Sequence, residues 1–191
     1  MLTDRISEAL ALAVQAHKKQ VRKGTSIPYL AHPMAVASIA LEFGADEDQA
    51  IAALLHDVLE DGGAQYGPVI KERFGERVLA IVDGCTDGLP DASGQKADWG
   101  ERKRAYLAHL AKATDDVLLV SGSDKLHNAR AIVSDLLKIG PDVFNRFTAG
   151  RDGTLWYYRS LAEIFEQRRA PMAAILAAEV IQIEQLAGVN T

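Results

Sequence analysis

Ile51-Ala-Ala-Leu-Leu-His56-Asp57-Val-Leu-Glu60-Asp61, closed by Gly62-Gly63, decides how this chain reads. Five apolar residues run into an adjacent His-Asp pair, and two carboxylates follow. Read as a helix over about 47–61, the segment sets Glu60 four residues after His56 and Asp61 four after Asp57. That spacing gathers four polar groups toward one side of the helix end. Burying several charges on an apolar framework is costly unless a metal or partner charges compensate. The stretch predicts a metal site with carboxylates beside it, on a helix that belongs to the core.

Two further segments supply matching groups. Upstream, Pro28-Tyr-Leu-Ala-His32-Pro33 places His32 at a helix entrance, because Pro suits the first turn. Downstream, Ser123-Asp124-Lys-Leu-His-Asn128 sets Asp124 and Asn128 four apart on another helix. His32, His56, Asp57 and Asp124 make a mixed nitrogen and oxygen set. Such a set suits manganese, iron or zinc and leaves positions for water and substrate. A single His-Asp dipeptide is common by chance; three segments with complementary groups are not.

Composition limits the function classes. With 191 residues and 48% apolar composition, the chain fits one domain with a sizeable core. It has no run of about 18 apolar residues, which argues against a membrane span, and its polar start lacks a signal-peptide pattern. The single Cys85 can form no internal disulfide and reads as a small core residue, which fits the cytoplasm. The formal charge is −5, yet Arg22-Lys23 and Arg102-Lys103-Arg104 are local basic clusters. That pattern suits a small polyanion rather than a nucleic acid polymer. Lys18-Lys19 read as ordinary solvated charges.

The chain reads as helix after helix. Helices are expected over about 4–18 behind Thr3, over 33–43, and over 47–61 behind Asp46 as cap. Pro68 opens a short one ending near Phe74-Gly75, and 76–83 forms another. Residues 84–98 form a long loop of the kind that is often functional. Helices resume at about 99–113, 116–134, 141–147, 153–167 and 170–187. The expected fold is all-α and single-domain, a bundle of about 8–10 helices. His17 falls near an apolar side and reads as structural. Trp156-Tyr-Tyr-Arg159 reads chiefly as core, with a base pocket as the alternative.

The motifs together resemble the HD superfamily of metal-dependent phosphohydrolases. Within it they resemble the RelA/SpoT hydrolase domain and the single-domain small alarmone hydrolases. The resemblance runs through Arg22-Lys-Gly-Thr25, Pro28-Tyr29, His32-Pro33, His56-Asp57 to Glu60-Asp61, Phe74-Gly75 with Val78, Glu101-Arg-Lys-Arg104 and Asp124 to Asn128, in the family's order. It covers roughly residues 10–160. It implies an HD-type bundle that removes the 3′-pyrophosphate from guanosine 3′,5′-bis(diphosphate) or a related alarmone, with manganese or another divalent ion. It assigns His32, His56, Asp57 and Asp124 to the metal, and Glu60 and Asp61 to water activation and proton transfer. The division of labour between those two stays open. It assigns Arg22, Lys23 and Asn128 to the nucleotide, with Lys96, Arg102, Lys103 and Arg104 as candidates for the distal phosphates. His109 and His127 fall outside its ligand motif.

The chain departs from the family pattern at Gly62-Gly63, where many relatives carry a Thr, and at Val120-Ser-Gly-Ser123, where long relatives often carry a Lys. Both bear on guanine versus adenine. The rival expectations are an HD phosphohydrolase of adenosine alarmones or other phosphate esters, and a non-catalytic nucleotide-binding regulator.

Overall fold

The computed structural model describes residues 1–88 and 97–189. Its described residues form nine α-helices, one π-helical turn and one 3-10 helix. The helices are α1 (Arg5–His17), α2 (Ala31–Glu42), α3 (Glu47–Leu55), α4 (Tyr66–Phe74), α5 (Glu76–Cys85), α6 (Trp99–Leu110), α7 (Asp115–Ile139), α8 (Gly150–Gln167) and α9 (Ala173–Leu186). The π-helical turn is Val58–Gly62, and the 3-10 helix is Gly140–Arg146. Extended pairing among these residues is limited to one isolated antiparallel bridge, Val21 with Pro28. The fold is all-α.

Two helices carry the core. Ala50 to Leu55 of α3 are buried on every side, so this helix is apolar all round rather than amphipathic. It lies among α1, α2, α5 and α7. The first half of α7 is equally enclosed, with Val117 to Asp124 all buried, and α7 touches α2, α3, α5, α8 and α9. Gly122 allows one of these approaches. A Cβ there would lie 2.3 Å from Met172 Sδ, and Met172 is fully buried.

Side chains fix the helix starts. Asp46 and Gln49 form a capping box on α3: Gln49 N–H donates to Asp46 Oδ1 at 3.0 Å, and Gln49 Oε1 accepts from Asp46 N–H at 2.8 Å. Thr114 caps α7 and Asp98 caps α6. Arg77 then ties the cap region of α3 to the start of α7, bonding Asp46 at 2.7 Å and Asp116 at 2.9 Å.

The expected helix over 47–61 needs correction. The α-helical bonding stops at Leu55, and the chain widens into the π-helical turn after Asp57. The wider turn keeps Val58 and Leu59 both in the core, and Gly63, at φ 105°, ends it in a conformation that favours glycine. The expected helix over 141–147 is the 3-10 helix, and α7 runs five residues past its expected end to the stop at Gly140. Of the expected 84–98 loop, the first residues complete α5, and 89–96, including Lys96, lie outside the described residues.

Candidate metal centre and nucleotide cavity

Three segments converge on one point. The start of α2 turns His32 inward, where its side chain is 1% exposed. The end of α3 delivers His56 and Asp57 just before the π-helical turn. The buried half of α7 supplies Asp124.

The donor atoms face one another. His32 Nε2 lies 3.1 Å from Asp124 Oδ1 and 3.4 Å from Asp57 Oδ2. His56 Nε2 lies 3.0 Å from Asp57 Oδ2 and 3.7 Å from Asp124 Oδ1. The ligand atoms of His32, His56 and Asp124 all lie within 4.8 Å of one another. Asp57 closes the group through its Oδ2, which also accepts from the Tyr29 hydroxyl at 2.6 Å.

Hydrogen bonds behind the cluster set the tautomers. His56 Nδ1 lies 2.8 Å from the Ala53 carbonyl, which can only accept, so Nδ1 carries the proton. Its Nε2 is then the atom turned toward Asp57 and Asp124. His32 Nδ1 meets His127 Nδ1 at 2.8 Å. Burial, with the charge of His32 and Arg22, pulls His127 down to about 4, so it is neutral and one of the two Nδ1 atoms donates to the other. With Nδ1 engaged by His127, His32 Nε2 faces the cluster.

The charges fit the same picture. Burial alone would raise the Asp57 carboxyl, but His56 and His32 hold it well below the usual range. Burial opposes ionisation of Asp124 too, and Lys125, His32 and His56 outweigh it. Burial would lower His56, and Asp57 and Asp124 hold it well above its usual value. Two ionised carboxylates thus close on two imidazoles, and in the ion-free protein they hold a proton on His56 Nε2. Either a proton or a divalent cation satisfies that arrangement, and the mixed donor set fits the cation.

The expectation that Glu60 and Asp61 share one face with the pair meets the π-helical turn. Asp61 is exposed and accepts from Gln20 Nε2 at 2.9 Å, and its charge is felt at Tyr29. Glu60 is half-buried, and its charge is felt at Lys103 and Tyr157. The two carboxylates therefore face different neighbours.

A cavity of about 600 Å³ opens beside His32. Six cations line it: Arg22, Lys23, Lys103, Lys125, Lys138 and Arg146. Arg22 Nη2 donates to Asn128 Oδ1 at 2.7 Å, and Asn128 Nδ2 donates to Asp124 Oδ1 at 2.6 Å. The cavity and the metal donors thereby share one hydrogen-bonded chain. Of the basic run on α6, Lys103 lines the cavity and pairs with Asp87. Arg102 also bonds Asp87, at 2.6 Å, and Arg104 is exposed; neither lines the cavity. Tyr157 and Tyr158 are buried and form cavity wall, so they serve as core and lining together.

Lys125 escaped the sequence reading. Its side chain is 12% exposed, bonds Asp124 Oδ2 and lies 5.2 Å from the Tyr106 ring centroid. Adjacent residues on a helix do not normally face each other, so spacing hides this pair. His17 is buried and bonds Gln20, and His109 bonds the Gly84 carbonyl; neither joins the cluster.

Residues 9–155 match the HD domain family, and the chain belongs to that family. It is 37% identical over 140 residues to a guanosine-3′,5′-bis(diphosphate) 3′-pyrophosphohydrolase of Xenopus tropicalis, covering 72% of each chain. It is 41% identical over 130 residues to a protein of the same description from Aquifex aeolicus (strain VF5), covering 68% of this chain and 18% of that one. The chain spans less than a fifth of the length of such long curated relatives. A solved structure, described as a metazoan ortholog of SpoT that hydrolyzes ppGpp and plays a role in starvation responses, superposes with a TM-score of 0.75. That match has 27% identity over 98% of both chains.

Proposed function

We propose that this chain is a metal-dependent hydrolase that removes the 3′-pyrophosphate from guanosine 3′,5′-bis(diphosphate) or a related alarmone, giving GDP or GTP and pyrophosphate. The observation that carries the reading is the continuity of two features. A buried donor cluster fit for a divalent cation opens directly onto a cavity lined by six cations. Cations gathered in one cavity of an acidic protein suit a small polyanion. The names of the relatives point to the same substrate class.

In this reading His32, His56, Asp57 and Asp124 hold the ion, with manganese as the proposed species. When bound, such an ion polarises a phosphoryl oxygen and lowers the pKa of water near it. The protein's own groups do the rest. Ala53 and His127 hold the imidazoles in the ligating tautomer. Tyr29 orients Asp57, and Lys125 and Asn128 orient Asp124. Arg22 and Lys23 take phosphate oxygens, the first as a fork and the second as a point charge. Lys103 stands ready for the departing pyrophosphate. Glu60, half-buried toward Lys103, orients or deprotonates the attacking water. Asp61 assists proton transfer to the ribose oxygen that leaves. The 191 residues are read as one domain, acting in the cytoplasm as the single Cys85 suggests. No helix among the described residues is long and apolar enough to cross a membrane.

Product identity tests the reading. Purified protein with manganese should convert guanosine 3′,5′-bis(diphosphate) to GDP and pyrophosphate. Orthophosphate as the released product would instead support a different phosphate-ester hydrolase on the same donor cluster.

A further inference from the structure

The six cations of the cavity are accompanied, among the described lining residues, by one carboxylate, Asp135. Cations suit phosphates and a carboxylate repels them, so Asp135 answers to another part of the ligand. It follows Asp124 on α7 by eleven residues. At 1.5 Å per residue that is about 16 Å along the helix, and three turns return both side chains to one side. The offset suits a nucleotide lying along α7, with its 3′-phosphates at the donor cluster and its base at the far end.

Asp135 is not alone there. Arg146, the last residue of the 3-10 helix, donates through Nη1 to Asp135 Oδ2 at 2.8 Å. Their side chains keep 30% and 22% exposure, so both remain reachable from the cavity. A Cβ on Gly24 would come within 2.6 Å of Arg146 Cδ, so the loop carrying Arg22-Lys23 rests on the Arg146 side chain and fixes it. Phe147 adds an aromatic wall beside the pair.

The pair offers a row of acceptors next to a donor. A carboxylate has about four lone-pair sites, and a guanidinium has five N–H groups in a fixed fork. One contact between them leaves capacity on each. Guanine presents the complementary row: the exocyclic amine and N1–H donate, and O6 accepts. Adenine presents an amine beside an N1 that accepts, which would oppose N1 to the carboxylate and leave acceptors unpaired.

We propose that Asp135, with Arg146 beside it, reads the guanine edge at the far end of the cavity and sets a preference for guanine over adenine. This rests on the nucleotide-hydrolase reading for the direction in which the ligand lies.

The test compares wild type with Asp135→Asn, which keeps the size and an acceptor for Arg146 but replaces one carboxylate oxygen with a donor. Two quantities are measured: kcat/KM for the guanosine and adenosine 3′,5′-bis(diphosphates), and the calorimetric affinities of GDP and ADP. Wild type should favour guanine in both. In Asp135→Asn the preference should shrink by about 10–100-fold, the worth of hydrogen bonds to a charged group. Arg146→Met, which removes the donor for O6, should shrink it as well. A purely structural Asp135 would lower both bases alike, and an unchanged ratio would overturn the proposal. So would a wild type that does not discriminate. Failure to hydrolyse either tetraphosphate would remove the hydrolase reading, and the GDP-to-ADP affinity ratio would still decide the role of Asp135.

Discussion

Two hydrogen bonds made away from the cluster decide what its imidazoles present. The Ala53 carbonyl and the His127 ring each hold an Nδ1, which turns both Nε2 atoms toward Asp57 and Asp124. Asp57→Ala removes a proposed ion ligand and the partner of Tyr29 together. It should abolish both calorimetric manganese binding and turnover, and retained binding would contradict its place among the ligands. Glu60→Ala should keep manganese affinity and lower kcat by about 10²-fold or more, the usual worth of a positioned acid or base. Normal turnover in that variant would remove Glu60 from the chemistry. At this scale the sequence is legible where motif residues carry their own chemistry, as at His32, His56, Asp57 and Asp124. It does not foresee Lys125, because adjacent helix residues do not normally face each other, nor the bond from His127 to His32, which arises from tertiary placement.

Among the elements, apolar runs make α3 and α7 readable: Ala50 to Leu55 and Val117 to Val120 are buried all round. Asp46 as a cap is equally readable, since its capping box needs only residues 46 and 49. The π-helical turn is not, because a wider turn has no sequence period of its own and follows from keeping Val58 and Leu59 buried. Glu60 is half-buried and Asp61 exposed, as adjacent residues that do not share a helix face. Helix approach gives a further prediction. Gly122→Ala would gain up to about 1 kcal/mol of helix propensity. It would also force a methyl to within 2.3 Å of Met172 Sδ in a filled core, an overpacking that costs about 1–3 kcal/mol. The balance, a loss of up to about 2 kcal/mol against the full propensity gain, should lower Tm by up to several degrees in a chain of this size. An unchanged or higher Tm would show that α7 and Met172 have room to spare.

Across the whole molecule, a net charge of −5 coexists with a cationic cavity, and ion binding is linked to protons. Asp57 and Asp124 are depressed in the folded protein, so their contribution to stability is present above the unfolded value of about 3.9 and is lost as pH falls through the depressed values. His56 is raised, so its contribution in the ion-free protein is full below about 6.5 and is lost as pH climbs through the raised value. A divalent ion replaces that proton, so its affinity should rise with pH. The Tm difference between manganese-loaded and chelated protein should therefore be larger at about pH 8 than at about pH 6. An equal difference at both would mean that His56 does not exchange a proton for the ion. The most direct measurement of the central claim is reconstitution: pyrophosphate release from guanosine 3′,5′-bis(diphosphate) by metal-stripped protein as manganese is added back. Activity absent in the stripped protein and restored by manganese is the result the donor cluster predicts. Pyrophosphate released at full rate without any divalent ion would contradict it.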